Sequence, residues 1–121
     1  MNNSLQIGVL GEKLAADFLK KKKYRIIETN FRKGFGEIDI IAIDEEVLVF
    51  VEVKTRTSGK YGTPLEAIAN WKLDTLVRTV QYYVKSHLNI PEALRIDAIS
   101  VELTRNNTVK KIQHVKNISK F

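Results

Sequence analysis

Residues 36–54, GEIDIIAIDEEVLVFVEVK, decide the fold. Residues 36–43 alternate across two faces, residues 44–46 are three consecutive acids, and residues 47–54 alternate again. That is the pattern of two strands joined by a tight turn. Ile38, Ile40, Ala42, Val49, Val51 and Val53 fill one face, and Ile41, Ile43, Leu48 and Phe50 fill the other. Strands that are apolar on both faces lie mid-sheet and are covered on both sides. Yet Asp39, Glu52 and Lys54 sit inside this stretch. Charges in a core strand are costly unless paired or bound to metal.

A loop over residues 44–47 sets Ile43 opposite Leu48, Ile41 opposite Phe50, Asp39 opposite Glu52 and Glu37 opposite Lys54. A loop one residue shorter would set Asp39 against Val51 and Glu52 against Ile38. The first register is preferred because it puts polar against polar and apolar against apolar. Directly opposed residues share a face with Cβ atoms roughly 5 Å apart. Two adjacent carboxylates resist joint ionisation unless a cation joins them. Hard oxygen ligands of this kind suit Mg²⁺ or Mn²⁺. Asp39 and Glu52 are therefore the expected metal ligands, with the Val53 carbonyl as a further one. Lys54, two residues from Glu52 and on its face, would orient water or stabilise developing charge.

The 121 residues of the chain read as one domain, 1–121, with enough surface to bury for a real core. There is no cysteine, so disulfides and thiolate metal sites are excluded. No signal peptide or membrane span is recognisable, and the expected compartment is the cytoplasm. The net charge of +6 favours a polyanionic partner, nucleic acid first, although many basic proteins bind none.

Residues 4–22 read as an amphipathic helix with Ile7, Leu10, Leu14 and Phe18 as its apolar stripe. Glu12 falls off that stripe, on an arc with Gly8, Ala15, Ala16 and Leu19. It either points at a neighbouring element or pairs with a lysine at the helix edge. The four lysines 20–23 complement the helix dipole as a solvated face, or meet phosphates. Residues 24–31 read as an outer strand. Two glycine-bearing loops, 32–36 and 55–62, leave the hairpin at its carboxylate end. They carry Arg32, Lys33, Arg56 and Lys60, with Phe35 and Tyr61, and no acid. A basic rim with aromatics beside an acidic pair suits a phosphate-backbone substrate.

A second helix is predicted over 63–88, opened by the capping box Thr63-Pro64-Leu65-Glu66 and ended by Asn89 and Pro91. Lys72 falls in its first half, where it could reach the site or a phosphate, although a solvent-facing lysine is the commoner fate. Tyr82 and Tyr83 are read as packing residues. Residues 94–103 read as a strand parallel to 47–54, with Arg95 and Asp97 as a surface pair. Residues 109–117 close as a lysine-rich edge strand. His87 and His114 are read as structural or exposed. The expected order is α-β-β-β-α-β-β, an α/β fold with one mixed sheet flanked by helices.

As a bare spacing, D-x(12)-E-x-K is weak. With its hairpin context, Asp39 followed by Glu52-Val53-Lys54 resembles the PD-(D/E)xK nuclease superfamily, the restriction-endonuclease-like fold. Gly11-Glu12, Asn30-Phe31-Arg32, GEIDIIA at 36–42, FVEVKTR at 50–56, Lys72 and Arg95-Ile96-Asp97 resemble the YraN-like family of bacterial proteins. That family is similar to archaeal Holliday-junction resolvases. The resemblance implies a restriction-endonuclease-like core and Mg²⁺-dependent cleavage. It implies metal ligation by Asp39 and Glu52, a catalytic Lys54 and an accessory acid at Glu12. Ile38 stands where the motif carries proline.

The function expected is a metal-dependent endonuclease acting on DNA rather than RNA, branched or junction DNA included. Arg32, Lys33, Arg56, Lys60 and Lys72 would meet the nucleic acid, and symmetric junction cleavage would call for a homodimer. The alternative is a nucleic-acid-binding module that keeps the fold without cutting. A purely structural adaptor would leave the acidic pair unexplained.

Overall fold

In chain order the elements are α1 (Ser4–Lys21), β1 (Arg25–Lys33), β2 (Gly36–Asp44), β3 (Val47–Thr57), α2 (Asn70–Ser86), β4 (Ala93–Leu103) and β5 (Val109–Val115). They come from a computed structural model that describes residues 4–57, 68 and 70–118. The order is the α-β-β-β-α-β-β expected from the sequence. The five strands form one sheet in the order β1-β2-β3-β4-β5, antiparallel except for the parallel β3–β4 pair. No helix among the described residues is long and apolar enough to cross a membrane.

The hairpin register is the expected one, with Ile43 opposite Leu48 and Ile41 opposite Phe50. The turn is tighter than the loop 44–47, because Asp44 already pairs with Val47. Glu45 makes that possible by taking a left-handed φ of 56°. Lys23 adopts φ 74° just past α1. The N–H groups of Tyr24 and Lys23 then bond back to Leu19 O at 3.0 Å and Lys20 O at 2.9 Å, closing the helix end.

Each face of the sheet has its own core. Ala15 and Leu19 of α1 pack on Ile40, Ala42, Val49, Val51, Ile99 and Val101. Val80 and Tyr83 of α2 pack on Ile38, Ile41, Leu48, Phe50 and Ile96. In α1 the fully buried line is Gly11, Ala15 and Leu19, while Ile7, Leu10, Leu14 and Phe18 flank it half-buried.

The expected bounds of two elements are corrected. The second helix ends at Ser86 rather than 88, and Ile68 lies in a bend ahead of its start at Asn70. The expected helix start at 63–66, with Lys60 and Tyr61, lies outside the described residues. Finally, β3 continues through Thr55–Thr57, so Arg56 is a strand residue rather than a loop residue. Parallel pairing with β4, from Val47–Ala93 to Thr57–Leu103, carries the strand that far.

Candidate active site

Ile38 and Ile41 pack in the same cluster although they are three residues apart. A regular strand sends such residues to opposite faces. β2 therefore turns its faces over between them, at Asp39. This corrects the placing of Ile38 with Ile40 and Ala42. Asn30, between the Thr29–Ile40 and Phe31–Ile38 pairs of β1 and β2, takes φ 53° inside its strand. Asparagine is among the few non-glycine residues that adopt this conformation readily. The described β2–β3 ladder stops at Ile40–Val51. Beyond it, the Val53 N–H donates to Asp39 Oδ2 at 2.7 Å.

The turnover carries Glu37 away from its expected partner Lys54. Carboxylate oxygens of Glu12, Glu37 and Asp39 all lie within 4.8 Å of one another. Asn30 sits against this group, its amide donating to Glu12 Oε1 at 2.8 Å and to Glu37 Oε1 at 3.2 Å. Arg32 Nε lies 3.4 Å from Glu37 Oε1, with most of its side chain in solvent.

Glu12 reaches the group because α1 comes unusually close to β3. A Cβ on Gly11 would overlap the side chain of Thr55. Gly8 has open space around it, so Gly11 is the residue that sets the approach. On the other face, a Cβ on Gly36 would overlap Thr79 Oγ1 and crowd Thr75 of α2. That contact brings Lys72 Nζ to 2.8 Å from Glu52 Oε2, whose side chain is only 5% exposed. Phe35, Gly36, Glu37, Asp39, Glu52 and Lys72 are among the walls of a cavity of about 210 Å³.

Burial drives the electrostatics. It raises the Asp39 carboxyl, and the hydrogen bond and repulsion from Glu52 raise it further, against the opposing Val53 N–H. Burial and the nearby Glu37 raise Glu12, and the Asn30 hydrogen bond resists this. For Lys72, burial alone would lower the ammonium. The hydrogen bond and charge of Glu52 outweigh it, so its pKa is raised. A carboxylate cluster that holds protons above the usual range binds a cation by releasing them. The donor set, all oxygen with a buried centre, fits Mg²⁺ or Mn²⁺.

The structure thus brings together Asp39, Glu52, Glu12, Lys72, Arg32 and the Val53 backbone. Lys54 is exposed and makes no ion pair among the described residues. Arg56 Nη2 donates to Ser100 Oγ at 3.3 Å. Lys33 lies over the Tyr82 ring, 4.6 Å from its centroid. Sequence reasoning missed the site role of Glu37, because an unbroken ladder would have set it against Lys54. It also missed Asn30 as the support for Glu12. The only available signal was an asparagine inside a strand. Tyr83 is buried as expected, but Tyr82 is 37% exposed.

Arg95 and Asp97 are not a surface pair. Asp97 is fully buried, with Arg95 Nε at 2.8 Å and His114 Nε2 at 2.7 Å. Arg95 also donates to Tyr24 Oη at 2.8 Å and Asp44 Oδ2 at 3.3 Å.

The profile of the uncharacterised protein family UPF0102 matches residues 11–101. A UPF0102 protein of Alkaliphilus oremlandii is 48% identical over 115 residues, covering 93% of this chain and 96% of the relative. One from Renibacterium salmoninarum is 39% identical over 118 residues, covering 98% and 99%. A third, from Caldanaerobacter subterraneus, is 42% identical over 116 residues, covering 95% of each. The matched span holds Glu12, Asp39, Glu52 and Lys72.

Proposed function

The chain belongs to the uncharacterised protein family UPF0102, and we propose that this member is a metal-dependent endonuclease hydrolysing phosphodiester bonds of DNA. One observation carries the reading. The carboxylates of Glu12 from α1 and of Glu37 and buried Asp39 from β2 all lie within 4.8 Å of one another, in a protein of net charge +6. Such a cluster in a basic protein is suited to a cation shared with a polyanion.

In this reading Asp39 and Glu52 hold Mg²⁺ or Mn²⁺, with Glu12, Glu37 and the Val53 carbonyl as further oxygen donors. The ion, once bound, supplies Lewis acidity toward the phosphodiester and acidifies water. Asn30 fixes the direction of the Glu12 carboxylate. Lys72 holds Glu52 in place and offers an ammonium to a phosphate oxygen. Lys54, an exposed residue of β3 two positions beyond Glu52, stabilises charge on the phosphate. Arg32, Lys33 and Arg56, together with Lys60 from outside the described residues, bind the phosphate backbone.

The test is cleavage of branched and linear DNA with Mg²⁺ or Mn²⁺, by the wild type and by Asp39→Ala and Glu52→Ala. Loss of cutting in both variants, with the fold intact by circular dichroism, is the expected result. Cutting by both at the wild-type rate would refute the reading.

A second reading is a nucleic-acid-binding module without cutting. The Lys72–Glu52 pair favours it, because an ammonium at 2.8 Å already neutralises Glu52. Calorimetry with Mn²⁺ separates the two. Binding by the wild type that Asp39→Ala removes supports the nuclease, and absence of binding with or without branched DNA supports the module.

A further inference from the structure

Beside the acidic cavity the surface carries an aromatic pair that no part of the cluster uses. Phe35 is 41% exposed and Tyr82 37% exposed, and their ring centroids are 6.2 Å apart, edge to face. They come from different elements, Phe35 from the β1–β2 turn and Tyr82 from α2. Each carries a cation. Lys33 Nζ is 4.6 Å from the Tyr82 centroid, and the Arg78 guanidinium is 5.2 Å from that of Phe35. Arg78 and Tyr82 stand four residues apart on α2 and so share one face of the helix.

Buried aromatics explain themselves by packing, as Tyr83 does between Phe31, Phe50 and His87. Phe35 and Tyr82 leave ring surface in water instead, at a cost the core does not recover. Phe35 is also a wall of the cavity that contains Asp39 and Glu52. Phe35 thus links the cavity to the exposed ring of Tyr82, 6.2 Å away. Rings that accept bases, interleaved with cations that accept phosphates, are the ingredients of single-strand recognition. A base pair inside a continuous duplex offers no ring face to such a surface, because its faces are stacked on neighbours.

We propose that Phe35, Tyr82, Lys33 and Arg78 form a docking platform for an unpaired DNA strand leading into the acidic centre. This rests on the nuclease reading and narrows its substrate to DNA with a single-stranded or splayed segment. On binding, bases take the ring faces, and Lys33 and Arg78 swing from the rings to the flanking phosphates.

The test is fluorescence anisotropy without divalent metal, using labelled oligodeoxythymidylate and a blunt duplex of equal length. Phe35→Leu and Tyr82→Leu keep apolar bulk and remove the ring. Each is expected to weaken single-strand binding by roughly 5- to 150-fold, the range given by stacking of about 1–3 kcal/mol per base. Duplex binding should be unchanged, and Phe35→Trp should retain single-strand affinity. Lys33→Gln and Arg78→Gln should each reduce the salt slope for the single strand by about 0.7. Equal losses on both probes, or no loss on the single strand, would overturn the platform. Tighter binding of an oligouridylate than of the oligodeoxythymidylate would overturn its assignment to DNA. Because nothing is cut in this assay, its outcome is separate from that of the nuclease test. Ring-dependent binding without metal-dependent cleavage removes the nuclease and keeps the platform, and the reverse pattern removes the platform alone.

Discussion

The backbone N–H of Val53 donates to Oδ2 of Asp39 at 2.7 Å, just past the point where the β2–β3 ladder stops at Ile40–Val51. A side chain thus takes the place of a strand-to-strand contact. Asp39 is held by β3 and cannot swing away from Glu52. The bond needs an acceptor but not a charge. Asp39→Asn should therefore fold normally while losing its ligand. Its near-ultraviolet dichroism should match the wild type, and Mn²⁺-dependent cleavage should fall by at least about 100-fold, since even outer-sphere partners of a metal commonly cost ~10–100-fold. Retained cleavage would move the metal-binding role elsewhere.

The same residue makes stability depend on pH. Burial and Glu52 raise the folded Asp39 carboxyl above its ordinary value of 3.8. Above pH 3.8 the unfolded chain has released this proton while the folded chain still holds it. The folded state then binds more protons, so its stability falls as pH rises. Glu12, also raised, adds in the same direction above its ordinary 4.5. In chelator, the urea midpoint of the wild type should decline between pH 5 and pH 8 more steeply than that of Asp39→Asn. Mn²⁺ should bind more tightly at pH 8 than at pH 6, because binding displaces the proton. Parallel profiles for the two proteins would show that Asp39 is not the group responsible.

At Gly11, which precedes Glu12, α1 lies against Thr55 of β3 with no room for a Cβ. Gly11→Ala places a methyl on the Thr55 side chain and must push the helix outward. Overpacking of this kind costs about 1–3 kcal/mol. It should also withdraw Glu12 from Asp39, so catalysis should fall further than stability explains. Removing the obstruction with Thr55→Gly should restore part of both. Chemical denaturation and cleavage rates of the single and double variants check this, and equal activity in Gly11→Ala and wild type would separate Glu12 from the site.

The element order, the hairpin register and the sheet's double cover were legible because each follows from periodicity. Ile41, Ile43, Leu48 and Phe50 alternate cleanly, and only one register pairs them. Asp39 and Glu52 stood out because charge is costly in such strands. The turnover of β2 was not legible. It depends on a side chain bonding to a distant backbone group, which leaves no mark on the alternation, and Glu37 was misplaced for that reason alone. Tyr82 packs against Phe31 and Phe35 yet stays partly exposed, and helical spacing does not distinguish such a ring at the edge of a face from a buried one. The position of Lys72, 2.8 Å from Glu52, follows from α2 connecting the parallel strands β3 and β4, because the first half of such a helix lies near the end of β3.

Asp97 was misread because its partners come from separate parts of the chain. Arg95, His114 and the Asn117 N–H all bond its carboxylate, at 2.8, 2.7 and 3.0 Å. Burial alone would raise Asp97, but the hydrogen bonds to His114, Arg95 and the Asn117 backbone outweigh it and hold the group below 3.8. A depressed acid stabilises the fold above its unfolded value, and that contribution is lost as pH falls through the folded value. The acid limb of wild-type unfolding, below pH 3.8, should therefore flatten in Asp97→Asn. Asp97→Ala should cost about 3–5 kcal/mol at neutral pH, the usual result of leaving buried partners uncompensated. The loss should appear first at β5, because His114 and Asn117 tie that edge strand and the following segment to β4. Hydrogen exchange should show β5 amides losing protection before those of β2 and β3. Uniform loss across the sheet would mean that Asp97 supports the whole core rather than this edge.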